Sequence, residues 1–156
     1  MKIATGQKAP AFGLYNSERE KVTTESLKGK NFVLLFFPAA FTSVCTKELC
    51  HVRDNISRYN TINAEVFGIS VDSIFTLAKF KTDQQLNFQL LSDFNKEVST
   101  AYGVLIPDFM YDMHGVSKRA AFVIDKEGII QYEEVLDQVR DLPDFEAIEL
   151  KIAELK

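Results

Sequence analysis

The chain of 156 residues holds two cysteines, Cys45 and Cys50, and the first stands where a thiol can react. The segment Phe37-Pro38-Ala39-Ala40-Phe41-Thr42-Ser43-Val44-Cys45 leads from an apolar run through a loop into a helical pattern. A thiol attacks only as thiolate, and the first turn of a helix favours negative charge through its unpaired N–H groups and its dipole. Those N–H groups can also hold an oxygen ligand beside the sulfur. Thr42, three residues earlier, carries a hydroxyl able to donate to such an oxygen or to accept from a helix N–H. Pro38 gives a rigid entry to the loop and shields one side of the sulfur. Taken singly, these residues read blandly, as an inert core cysteine, an ordinary N-cap and a strand stop. Their joint spacing is what points to chemistry.

The elements that must position them follow from periodicity. Asn31–Phe37 is a continuous apolar run that fits a strand buried on both faces. Val44–Tyr59 reads as a helix, with Cys45, Leu49, Val52 and Ile56 on one stripe. Further along, Glu65–Val71 and Phe88–Ser92 read as strands, and Ser73–Leu86 and Asn95–Tyr102 as helices, the last closed by Gly103. Ala120–Asp125 and Ile129–Val135 flank the turn Lys126-Glu127-Gly128 and form a β-hairpin. Pro143–Leu155 is the last helix. Residues 23–27 start a short helix, the rest of 1–30 mixes polar loops with short apolar pieces, and Ile106–Gly115 reads as loop. This order gives an α/β, thioredoxin-like fold: a mainly parallel central sheet flanked by helices, with an antiparallel terminal hairpin. Residues 1–156 form a single domain on this reading.

Composition narrows the function classes. A hydrophobic fraction of 46 % and a charged fraction of 26 % are ordinary for a globular domain. A chain of this size folds without staples, so its two cysteines need not be structural. The net charge of −4 and the scattered Lys and Arg argue against nucleic acid or an acidic membrane surface as partner. Met1–Lys8 lacks the apolar core of a secretory signal, and Phe32–Ala40 is too short to span a bilayer. A cytoplasmic location is expected, where a cysteine pair is more often catalytic or metal-binding than a static bridge.

The spacing Pro38-x-x-x-Thr42-x-x-Cys45 resembles the peroxiredoxin signature. Thr46-Lys47-Glu48-Leu49-Cys50 is similar to the segment that follows the reactive cysteine in the bacterioferritin-comigratory (PrxQ) branch. Arg119-Ala120-Ala121-Phe122-Val123-Ile124-Asp125 resembles the family's Arg-before-strand motif. Leu91–Glu97 and Tyr102-Gly103 resemble that branch and the neighbouring AhpE-like one. The likeness runs from Gly6 to the last helix.

That resemblance implies roles. Cys45 would be the peroxidatic cysteine, attacking a hydroperoxide to give a sulfenic acid. Arg119 would stabilise the thiolate and the charge developing as the O–O bond breaks. Thr42 would hold the peroxide oxygen in line, Pro38 would shield the thiolate, and Glu48 would pair with Arg119 and set its angle. Cys50 would be the resolving cysteine, condensing with the sulfenic acid before an external dithiol, such as a thioredoxin, restores the enzyme. No metal, haem or flavin cofactor is implied, and a homodimer is compatible with the family. Geometry sets a condition on Cys50. Residues five apart on a helix have Cα atoms roughly 8.7 Å apart, and a disulfide needs about 7 Å or less. The bridge therefore requires this turn to unwind.

Three rivals remain. A thiol–disulfide oxidoreductase normally separates its cysteines by two residues, not four. A metal site built from Cys45, Cys50, His51 and His114 matches no zinc spacing. A redox chaperone or signalling protein with secondary peroxidase activity shares the same residues.

Overall fold

The computed structural model describes residues 3–60 and 64–155, so Met1 and Lys2 of the segment read for a signal, and Lys156 of the domain, lie outside it. β3 (Asn31–Phe36) lies near the centre of a seven-stranded sheet and is buried along its whole length. The reason is in its alternation. Val33 and Leu35, with Phe37 just beyond, point into one apolar core, and Phe32, Leu34 and Phe36 into a second. A strand covered on both faces needs apolar residues at every position. Each fully buried Phe or Leu contributes about 1.5–3 kcal/mol of burial.

The sheet order is β2-β1-β5-β4-β3-β8-β9. β1 is Gly13–Asn16, β2 Lys21–Thr23, β4 Ala64–Ser70, β5 Gln89–Ser92, β8 Ala120–Ile124 and β9 Ile130–Val135. The thioredoxin-like fold and the terminal hairpin, β8–β9, match the sequence reading, but the sheet is mixed rather than mainly parallel. Parallel pairing joins β3 to β4 and β4 to β5, where helices supply the crossovers; the other pairs are antiparallel. α1 (Ser43–Asp54), α2 (Ile56–Asn60), α3 (Ile74–Asp83) and α5 (Phe145–Glu154) supply apolar residues to the first core. α4 (Glu97–Ala101) packs Val98 into the second. Gly68 of β4 clears the way for α1: a Cβ there would stand 2.8 Å from Leu90, 3.3 Å from Phe37 and 3.7 Å from Leu49.

Three local expectations are corrected. The single helix Val44–Tyr59 is two, because Asn55 leaves helical geometry (φ −119°, ψ 18°) while its side-chain amide donates to the His51 carbonyl at 2.8 Å. The expected loop Ile106–Gly115 is mostly a hairpin, β6 (Leu105–Asp108) with β7 (His114–Ser117), whose tip carries Tyr111 and Asp112 at positive φ. The short helix over 23–27 is a 3-10 turn, Glu25–Leu27. Among the described residues, no helix is long and apolar enough to cross a membrane.

Candidate active site

The sheet register brings Arg119 to the thiol. β8 runs antiparallel to β3 with Ala120 opposite Phe36, so Arg119 stands where the chain leaves β3 through Phe37 and Pro38. The loop then turns into α1 at Thr42, which places Cys45 in the first helical turn. Glu48 and Leu49, one turn further, are buried with it.

Cys45, Arg119 and Glu48 form one buried cluster. Arg119 Nη2 donates to Cys45 Sγ at 3.3 Å, and Nη1 donates to Glu48 Oε1 at 2.6 Å. Nε and Nη2 both donate to the Val139 carbonyl, at 3.1 and 2.8 Å. Every guanidinium nitrogen thus has a partner, and the fork is fixed in direction. Glu48 is 0 % exposed, and its Oε2 has no hydrogen-bond partner among the described residues. Burial pushes the Glu48 carboxyl up to about 7, against the pull of Arg119. Burial works against the charge on Arg119, yet Glu48 and Cys45 outweigh it and raise its pKa above the ordinary value. The cluster offers a thiol at a helix start with a permanent positive charge in contact with the sulfur, an arrangement suited to a thiolate nucleophile and to an oxyanion forming beside it.

The other candidate residues lie on the loop before α1, further along α1, or away from it. Pro38 is buried in the loop, and Thr42 is exposed at the mouth of α1. The Thr42 hydroxyl donates to the Ala39 carbonyl at 2.7 Å and does not cap α1. Phe41 is 49 % exposed and sits in left-handed backbone (φ 67°), with its ring edge-on to Phe80 at 5.1 Å. Cys50 lies on the same unbroken helix as Cys45, half-buried, with Sγ 3.5 Å from Gln84 Oε1; both cysteines are free thiols. His51 and His114 go elsewhere. His51 stacks on Phe145 at 4.1 Å, and His114 pairs with Asp108 at 2.9 Å.

Sequence reasoning missed two contributors. The Val139 carbonyl, in the loop between β9 and α5, has no side-chain signal that could have revealed it. Asp72, just past β4, accepts from the Ala40 N–H at 2.8 Å and so ties the Cys45 loop to the sheet.

The profile of the AhpC/TSA family matches residues 5–133. The 2-Cys peroxiredoxin BAS1 of spinach (Spinacia oleracea) chloroplasts is 40 % identical over 141 residues, covering 83 % of this chain and 51 % of that protein. The chain therefore spans about half the length of that relative. A putative peroxiredoxin, bcp, of Coxiella burnetii is 41 % identical over 132 residues, covering 83 % of this chain and 87 % of the relative. The crystal structure of peroxidoxin BcpB from Mycobacterium tuberculosis superposes with a TM-score of 0.86 at 27 % identity, covering 97 % of each chain. A thiol gripped by an arginine on this fold and a family match spanning most of the length lead to one placement: the chain belongs to the AhpC/TSA family, among the peroxiredoxins.

Proposed function

We propose that the chain is a thiol-dependent peroxidase that reduces hydrogen peroxide and organic hydroperoxides at Cys45. The observation that carries this reading is the contact of Arg119 Nη2 with Cys45 Sγ at 3.3 Å, in the first turn of α1. The thiolate sulfur attacks one peroxide oxygen. An S–O bond forms as the O–O bond breaks, and the departing oxygen takes the electron pair and a proton to leave as water or an alcohol. Sulfur is oxidised to a sulfenic acid. Arg119, fixed by Glu48 and Val139, stabilises the charge on the entering sulfur and on the departing oxygen without having to move. Thr42, whose hydroxyl oxygen keeps lone pairs free, orients the hydroperoxide, and Pro38 limits water at the sulfur.

Cys50 resolves the sulfenic acid. Its thiol condenses with it, expelling water and forming the Cys45–Cys50 disulfide, and an external dithiol of the thioredoxin kind returns both to thiols. Because α1 runs unbroken through both residues, its first turns unwind before the bridge closes. Residues 1–156 act as one thioredoxin-like domain, working in the cytoplasm, with a homodimer as the assembly compatible with it. Mass spectrometry after one equivalent of peroxide tests the scheme. An intramolecular Cys45–Cys50 disulfide is expected; a lasting sulfenic acid or a mixed disulfide removes Cys50 from it. A Cys45→Ser variant that consumes peroxide at the parental rate removes the proposal altogether.

A further inference from the structure

The loop that carries Cys45 into α1 is held at Ala40 by one side chain from the segment just past β4. Asp72 Oδ2 accepts from the Ala40 N–H at 2.8 Å and from the Ser70 hydroxyl at 2.6 Å. The Asp72 N–H donates to Ser70 Oγ at 3.2 Å, and the Asp72 carbonyl accepts from the Ser92 hydroxyl at 2.5 Å. Asp72 is thereby fixed to the ends of both β4 and β5, while its carboxylate reaches the β3–α1 loop. Immediately after Ala40 comes Phe41, a bulky residue in left-handed backbone, an uncommon and costly conformation that persists only where the surroundings impose it. On one side of Phe41 the chain is clamped by Asp72; on the other, α1 begins at Ser43.

We propose that Asp72 is a positioning residue for the Cys45 loop, pinning Ala40 to the end of β4. The peptide before Phe41 then stays in place while the peptide after it is free to unwind. This rests on the peroxidase reading of Cys45. The clamp has two consequences, one for each half-reaction. With sulfur attacking peroxide, it holds the loop so that the first turn of α1 keeps Cys45 against Arg119, and small misplacements there are costly to rate. With Cys50 resolving, it sets the upstream limit of the melted segment at Phe41. Asp72 touches neither sulfur nor substrate and acts through the Ala40 amide alone.

The test is a pair of substitutions read at both levels. In Asp72→Ala, loss of the Cys45 thiol on adding hydrogen peroxide is expected to slow about tenfold, the worth of one charge-assisted hydrogen bond. The Ala40 amide should exchange with solvent faster, with the amides of β4 and β5 as protected as in the parent. Asp72→Asn, which keeps a carbonyl oxygen for the Ala40 N–H, should stay within about threefold of the parental rate. Asp72→Ala reacting at the parental rate overturns the proposal. So does a rate loss accompanied by faster exchange throughout β4 and β5, which marks general loosening. Should Asp72→Ala not fold, Ser70→Ala replaces it: removing one of the two hydrogen bonds to the carboxylate should slow the reaction about twofold, and no change overturns the clamp. If the parent itself consumes no peroxide, the reading of Cys45 falls, and faster Ala40 exchange in Asp72→Ala still reports on the clamp.

Discussion

Cys45 and Cys50 sit on one helix and in two different worlds. Cys45 is buried against a guanidinium that an ion pair and a carbonyl hold rigid. Cys50 is half-buried against the neutral side-chain amide of Gln84. Both are free thiols of one residue type, so the contrast isolates what surroundings do. The Cys45 sulfur meets a positive charge, whereas the Cys50 sulfur meets an uncharged amide oxygen. One helix thus holds two thiols in unlike settings.

The largest expected effect tests the division directly. Cys45→Ser should lose rapid peroxide consumption by about a thousandfold or more, while Cys50→Ser should keep the first sulfenic-acid step within about twofold, as stopped-flow peroxide assays would measure. Equal losses in both variants would erase the contrast. Arg119→Ala comes next. It should slow the peroxide step by about a hundredfold and leave alkylation of Cys50 by iodoacetamide unchanged, because Arg119 contacts only the Cys45 sulfur of the two.

Glu48 sharpens the comparison through stability. Glu48→Gln keeps an amide oxygen for Arg119 Nη1 but removes the charge, so at the acid end of the Glu48 titration it should unfold in denaturant close to the parent. The pH dependence has a definite sign. Burial raises the folded carboxyl to about 7 from 4.5, so between those values the folded state holds more protons than the unfolded one. The contribution is fully present below the unfolded value, falls as pH rises through that window and levels off above it. Unfolding midpoints taken at both ends of the window should fall more in the parent than in Glu48→Gln; parallel profiles would refute this. Smallest of all, Gln84→Ala should raise the alkylation rate of Cys50 about twofold or threefold without altering the peroxide step.

The sequence disclosed the reactive half of this contrast better than its supports. Cys45, Thr42 and Pro38 could be named from their residue types along one loop and helix start, whereas Arg119 and Glu48 were named through the family resemblance. β3 was legible because burial on both faces leaves an uninterrupted apolar run. β1 and β2 were not: at four and three residues they are too short for an alternation to accumulate. The β6–β7 hairpin was read as loop because Pro107, Asp108 and Gly115 look like turn residues, and its tip leaves Tyr111 89 % exposed. Asp72 was invisible for another reason. Its partner is a backbone N–H, and only the parallel pairing of β3 with β4 brings the two together.

The Val139 carbonyl carries a different lesson. It contributes an oxygen that every amino acid possesses, on a segment tied at its start by the Leu136 N–H to the Arg119 carbonyl and at its end by the Asp144 N–H to Glu134. What that segment must conserve is its length, not its letters. Replacing the side chain at 139 leaves the oxygen where it was, whereas deleting or inserting one residue between 136 and 144 swings it out of reach of the guanidinium. The arginine's aim is thus written partly as a count of peptide units.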